Sequence, residues 1–370
     1  MKRITILTLV MISVFTIFLT SCKENVISIK PSSINAFQGE HYLLQNFGNM
    51  TINKDNENKI KVMSGTHSIF ESLTIEKGCV LNVTSQKKWW DYTHKWAIIE
   101  VMGDLNIEGS ILANDWIIPD RNYNIVSDTI YIRLANNQVP DKNPILVANY
   151  AYDFSATGGD GGATIPGWTT ILSKIRQAQG AKGSYFYGGG GGGGHCQDNS
   201  GGNSDGANAE KWKGGLGRVA ESNDVDRTGG NGGDGGLNIN GVGGLLIILC
   251  HGSINLGDNA IIDVSGKKGE DGHDGQNAPN TSKRAGGGGG GGAAPGRPGG
   301  ELFLSFQKIN RINFDDFIRI NGGDPGQIGI GGTAYQSLLH LDSMKAADGQ
   351  PSTKGKDGVL YYNGEKVELN

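Results

Sequence analysis

The chain has 370 residues, with 33 Lys and Arg against 37 Asp and Glu, and its formal net charge of −4 is spread without long runs of one sign. That balance excludes a polyanion binder such as a nucleic-acid-binding protein. Glycine is the outlier at 61 residues, yet hydrophobic residues still make up 37%, so the composition describes a packed core with glycine-rich excursions and not a disordered chain.

The N-terminus reads Met1-Lys2-Arg3, then an apolar stretch Ile4 to Leu19 that is short for a membrane span, then Leu19-Thr20-Ser21-Cys22. This resembles the bacterial lipobox, in which small residues precede a cysteine that becomes the acylated N-terminus. The resemblance implies a signal peptide over residues 1–21 and a lipid on Cys22, anchored stably by more than one acyl chain. Cys22-Lys23-Glu24-Asn25 is similar to the short charged signal that sends Bacteroidetes lipoproteins to the outer face of the outer membrane. The implied address is therefore the outer membrane with surface display, and its periplasmic face is the alternative. Cys79, Cys196 and Cys250 remain, an odd number that excludes a complete disulfide framework. Cys79 and Cys250 sit in apolar strand-like runs and read as small buried hydrophobes.

Residues 22–59 are polar and Asn-rich and read as a tether, leaving 60–370 as the folded domain. Within it one pattern recurs four times. Apolar residues alternate at Ile69, Leu73, Ile75, Val80 and Val83; at Ile99, Val101, Leu105, Ile107 and Ile111; at Leu246, Ile248, Ile254, Leu256, Ile262 and Val264; and at Leu302, Leu304, Ile312, Phe314, Ile318 and Ile320. Period-two alternation in short runs separated by polar or glycine corners predicts strands with one buried face. The best helix candidate is Trp168 to Gly180. The copies are separated by glycine-rich insertions of unequal length, about 155–236 and 266–300, as in a solenoid whose loops leave one corner and return. The plan resembles the glycine-rich right-handed parallel β-helix proteins of bacterial surfaces, over roughly Ile69 to Gly323. A β-sandwich or jelly roll is the alternative. Near the C-terminus, Tyr362-Asn363-Gly364 between alternating apolar residues predicts a hairpin or final rung.

Two runs of seven glycines, Gly188–Gly194 and Gly286–Gly292, need an explanation, because each glycine costs about 0.5–1 kcal/mol more than alanine to order. At the edges of the runs glycine recurs with a period of three, as in "GGNGGDGG" (Gly229–Gly236) and "GEDGHDGQN" (Gly269–Asn277). Three is the period of the polyproline-II helix, and glycine alone fits where such helices crowd. A bundle of polyglycine-II-like segments is expected, similar in composition and period to the polyglycine sandwich of some phage tail adhesins. Flexible linkers are the competing reading.

Candidate chemistry is sparse. Trp89, Trp90, Tyr92 and Trp96 form the densest aromatic cluster and are the candidate glycan-stacking platform, the competing reading being that they cap the solenoid core. His195-Cys196 and Cys250-His251 lack zinc-ligand spacing. The stretch "GGNGGDGGLNI" resembles a calcium-binding nonapeptide repeat, but it occurs once with its apolar residue displaced, so no cofactor is expected and calcium is the one ion the pattern would admit. Asp258, Asp263, Asp315 and Asp316 form no evident acid–base pair. The expected protein is a lipid-anchored cell-surface β-helix with an adhesive or glycan-binding role, non-catalytic, its partners being the membrane through the anchor and a glycan or surface macromolecule, with no nucleic acid. A β-helix polysaccharide lyase or glycoside hydrolase and a purely structural envelope component are the alternatives.

Overall fold

The computed structural model describes residues 43–85, 96–116, 130–132, 145–147, 158–162, 178–184, 187–193, 196–197, 203–204, 208–216, 230–237, 241–278, 284–285, 287–333, 335–336 and 345–369. The chain divides into two compact units, Met1–Gln38 and Gly39–Asn370, and the described residues all belong to the second. Cys22, Trp89, Trp90, Tyr92, His195 and most of the helix candidate at Trp168–Gly180 lie outside them.

The fold is all-β and its two main sheets are parallel. The strands are β1 (Leu43–Ile52), β2 (Val62–Met63), β3 (Thr66–Ile75), β4 (Val80–Thr84), β5 (Trp96–Val101), β6 (Leu105–Ile107), β7 (Ser110–Leu112), β8 (Ile130–Ile132) and β9 (Ile145–Val147). They continue with β10 (Cys196–Gln197), β11 (Asn203–Ser204), β12 (Leu245–Leu256), β13 (Ile261–Asp263), β14 (Arg284–Ala285), β15 (Glu301–Ile309), β16 (Ile318–Arg319), β17 (Tyr335–Gln336), β18 (Val359–Tyr362) and β19 (Glu365–Val367). The described residues contain no α-helix; a single 3₁₀ turn spans Phe314–Asp316.

The larger sheet has the order β1-β3-β5-β12-β15-β18-β19, with β6 bridging β3 and β12; every pair is parallel except the closing β18/β19 hairpin. The second sheet, β16-β13-β7-β4-β2, is parallel throughout. Successive passes of the chain give a strand to the first sheet and then, after a corner, a strand to the second. Corners are tight enough to require glycine: a Cβ on Gly109 would lie 2.2 Å from the Cys79 carbonyl oxygen. The inward residues of both sheets form one core, with Leu73, Ile75, Val83, Ile99, Val101, Leu105, Ile107, Ile111, Leu246, Ile248, Leu302 and Leu304 among its members. Each such side chain contributes roughly 1.5–3 kcal/mol of burial.

Most of the expected core positions are inside, and the exceptions have local causes. Phe70, stacked on Phe47 at 4.8 Å, takes the inward place in β3, which turns Ile69 to the other face. Cys79 and Leu81 point in, so Val80 does not. Ile312 is 86% exposed because the chain leaves the strand before the 3₁₀ turn. That turn also means that Asp315 and Asp316 are not in extended chain. The polar stretch expected to end at residue 59 contributes β1, a full ten-residue strand, to the sheet. Cys79 and Cys250 are free and buried in the core, as their sequence context predicts. The Asn363-Gly364 turn forms with both residues at positive φ and joins β18 to β19.

A second structural layer is made of the glycine-rich segments. Segments 264–278 and 320–333 leave directly from β13 and β16, while 287–300 and 345–358 lead directly into β15 and β18. At their far ends, segments 187–193, 287–300 and 320–333 adjoin a small antiparallel sheet, β11-β10-β14-β17. Trp116 closes the opposite corner: its indole N–H donates to Val83 O at 2.8 Å, and its ring occupies the space where a Gly244 Cβ would stand.

Candidate functional site

The glycine-rich segments hydrogen-bond to one another through their backbones. Segment 287–300 is buried along its length and bonds to seven others: 158–162, 187–193, 230–237, 241–244, 264–278, 320–333 and 345–358. Segment 187–193 bonds to five: 158–162, 178–184, 208–216, 230–237 and 287–300. These two central positions hold the two seven-glycine runs. A Cβ on Gly289 would lie 2.1 Å from Gly162 O, one on Gly290 2.1 Å from Gly329 O, and one on Gly291 2.0 Å from Asp234 O. Three successive residues thus face three different backbones, and no position in the turn has room for a side chain.

The surrounding segments obey the same geometry with fewer neighbours. Segments 158–162 and 230–237 each bond to four others and carry two glycines in three, "GGDGG" and "GGNGGDGG". Segments 264–278 and 345–358 each bond to three others within the layer and carry one glycine in three over most of their length. The glycine pattern therefore records how many faces of each segment are occupied by other backbone.

Where a segment lies at the rim, a side chain completes the hydrogen bonding. Asp271, Asp274 and Asn277 accept the N–H groups of Gln327, Ile330 and Thr333 at 2.7, 2.7 and 2.8 Å, while Gly272, Gly275 and Ala278 donate to the carbonyls of those same three residues. Asn208 and Ala209 hold Gln179 in the same way. Asp160, Asp234, Asp348 and Asp357 form a variant in which the side chain accepts from Gly183, Gly214, Gly331 and Gly322, and the next residue donates to the carbonyl two positions earlier. Each Asx and its successor grip one neighbouring strand at two points. The Lys268 ammonium and then the Gln327 N–H hold the Asp271 carboxyl below the usual range, and Lys345 and Gly331 do the same for Asp348. Burial pushes Asp357 up, but Gly322 N–H and Lys354 outweigh it. Asp234, the acid of the calcium-like stretch, is thus used internally, and no group of three or more metal-ligating side chains converges among the described residues.

A second polar feature lies on the outer face of the larger sheet. In β5, Ala97, Ile99 and Val101 point into the core, so Glu100 points outward with Trp96 and Ile98. His67 from β3 and His251 from β12 reach it diagonally: His67 Nε2 is 2.7 Å from Glu100 Oε2 and His251 Nε2 is 2.7 Å from Glu100 Oε1. His67 and Glu100 are buried, whereas the His251 side chain is 26% exposed. Burial pushes the Glu100 carboxyl up, but the His251 and His67 hydrogen bonds more than offset it and hold it at about 2. The cluster sits among Ile98, Leu245, Ile247, Leu249 and Phe303, which are also buried, so these strands are apolar on both faces. No spacing could reveal it, since its members are 33 and 151 residues apart. The available signal was an acid and two histidines at outward positions in otherwise apolar strands.

Of the aromatic platform, Trp96 begins β5 and is 6% exposed, so its ring supplies burial and offers no open stacking face. Trp116 is fully buried, and Trp212 carries Lys213 Nζ 5.4 Å from its ring centre. Asp258 pairs with Arg311 and Asp263 accepts from Asn114, so neither stands in an acid–base pair. No protein-family model matches the chain, and neither a curated protein nor a solved structure does.

Proposed function

We propose that this is a lipid-anchored surface protein: a right-handed parallel β-helix whose third side is a polyglycine-II-like layer that presents a non-catalytic, adhesive or glycan-binding surface. The observation that carries the reading is the layer itself, in which both seven-glycine runs are central and every surrounding segment is held by backbone or Asx hydrogen bonds. Along the glycine runs such a layer is backbone throughout; the side chains buried in segment 287–300 are Ala293, Ala294, Pro295, Arg297 and Pro298. In each rim segment with one glycine in three, the other two residues are free to face outward, at about 3.1 Å of rise per residue if the segment is a polyproline-II-type helix. The exposed rim residues include Lys268, Asp271, Asp274, Gln276, Gln327, Ile330, Gln350 and Lys356, a periodic set suited to an extended repetitive ligand. Anchoring through Cys22 rests on the lipobox. A Cys22→Ala variant should lose acyl labelling and membrane partition; unchanged partition would refute the anchor. A glycan array probed with the protein and with Trp89→Ala and Trp90→Ala variants tests the ligand class, and a blank array sinks that part.

The His67–Glu100–His251 cluster favours a second reading, a β-helix polysaccharide lyase or glycoside hydrolase. Glu100, held ionised far below neutrality, cannot serve as a general acid there, so His251 would be the proton-accepting group. Product release from a panel of neutral and acidic polysaccharides, abolished by His251→Ala, is the result that would establish it. A silent panel removes it.

A further inference from the structure

The Asx grips have a chemical consequence. Among steps that begin with Asp, Asp–Gly is the most open to isoaspartate formation, because glycine has no Cβ to hinder its nitrogen. The Gly nitrogen attacks the Asp Cγ, the carboxyl oxygen leaves as water, and a five-membered succinimide results. Water then opens the ring at the α-carbonyl, leaving the chain running through the side chain. Water lost in the first step is regained in the second, so no other reactant is needed. The chain contains seven Asp–Gly steps, an unusual density, and six lie among the described residues: Asp160, Asp234, Asp271, Asp274, Asp348 and Asp357, each followed by glycine.

We propose that these six steps are latent isoaspartate sites silenced by the layer, so that any opening of the layer is recorded covalently in the chain. In all six, both reacting groups are already engaged. The attacking nitrogens of Gly161, Gly235, Gly272, Gly275, Gly349 and Gly358 donate to Ala181 O, Trp212 O, Gln327 O, Ile330 O, Gly329 O and Ile320 O at 2.7 to 2.9 Å. The Oδ1 atoms of the six acids accept backbone N–H groups at 2.7 to 2.9 Å. Attack requires that the glycine nitrogen turn from its partner toward Cγ, which breaks one bond of the grip and strains the other. It also requires a protonated carboxyl, and three of these acids are held in the ionised form more firmly than usual. Burial is not the cause of silence, because Asp271 and Asp274 are exposed to solvent. The grip, and not exclusion from solvent, separates these sites from the same dipeptides in a loose chain.

The test is to incubate the full-length protein at pH 5 and 37 °C, native and in guanidinium chloride. Isoaspartate is then quantified peptide by peptide through enzymatic methylation and mass spectrometry. Reaction in the native protein must pass through open states, so all six sites should form isoaspartate more slowly than in denaturant by on the order of a hundredfold or more. A Gly329→Ala variant, whose added Cβ would stand 1.9 Å from His273 O, should raise the native rate at Asp271, Asp274 and Asp348 together. Similar rates in native and denatured protein at the exposed Asp271 and Asp274 would overturn the proposal. So would a Gly329→Ala protein with no acceleration at any of its three neighbouring sites.

Discussion

Replacing one central glycine by alanine separates an ordered layer from a set of tethers, because the two predict opposite signs. In a flexible linker, Gly→Ala is neutral or stabilises by about 0.4–1 kcal/mol through the unfolded chain. At Gly290 the new Cβ would lie 2.1 Å from Gly329 O and 2.6 Å from Gly329 C, against a practical limit of 3.0 Å. The segment must therefore shift by about 0.9 Å, the difference between the limit and the nearer contact. It cannot do so freely, since Gly290 N–H donates to Ala347 O at 3.0 Å while its neighbours Gly289 and Gly291 donate to Gly192 and His273.

Overpacking of this kind costs roughly 1–3 kcal/mol, and weakening one or two interior hydrogen bonds adds about 1 kcal/mol each. We therefore expect a loss of roughly 2–5 kcal/mol, which for a unit of this size lowers Tm by about 3–7 °C. Differential scanning calorimetry and guanidinium unfolding read it directly, with exposed His273→Ala as the control. A Gly290→Ala protein whose midpoint is unchanged or raised would refute the packed layer.

The remaining predictions concern polar groups. Glu100→Ala strands two imidazoles around a buried hole and should cost about 3–5 kcal/mol by chemical denaturation. The Glu100 carboxyl is depressed in the folded state, from 4.5 to about 2, so its contribution is fully present above the unfolded value and lost as pH falls through that window. Stability of the wild type should fall between about pH 4.5 and 2, more steeply than that of Glu100→Gln, and parallel pH profiles would show that the cluster contributes nothing. Asp271→Ala removes the acceptor of Gln327 N–H and should cost about 1 kcal/mol, whereas Asp271→Asn keeps an oxygen there, as Asn277 does naturally, and should be close to neutral. Equal loss in both variants would assign the effect to the Lys268 pair instead of the grip.

The strands were legible because alternation survives in short runs: Leu246, Ile248, Leu302 and Leu304 point inward as their spacing requires. The parallel pairing of passes separated by long insertions follows from their likeness to one another. The layer was partly legible. Period-three glycine indicated crowded segments, but which segments were central appears only when glycine content is compared with the number of neighbours. The Asx grips have a sequence signal of their own: six acids among the described residues stand directly before glycine, and each carboxylate accepts a neighbouring backbone N–H. That His67, Glu100 and His251 meet was not legible from their outward positions alone, since a diagonal across three strands depends on register and on the bulge in β12 between Cys250 and Ser253.

The layer also has an unusual energetic character. Along the glycine runs its interior is backbone, the buried side chains of the central segment being Ala293, Ala294, Pro295, Arg297 and Pro298, so ordering its glycines is opposed by more chain entropy than ordinary residues lose, about 0.5–1 kcal/mol each. The return is one backbone hydrogen bond for most interior residues, net about 1 kcal/mol apiece, plus dispersion between touching backbones. These terms nearly balance for a single segment, and the margin grows only when all faces of the central runs are covered. Removing one rim segment exposes groups on its neighbours, so the layer should open as a unit or not at all. Proteolysis reads this property. A protease needs several residues in extended, released chain, and when reclosing is fast the cleavage rate follows the population of the open form. Cuts within 188–193 and 287–292 should therefore appear only at denaturant concentrations that unfold the sheets as well. Nicks at either run under native conditions, with the β-sheet circular dichroism intact, would show that the glycine segments open independently of the strands they join.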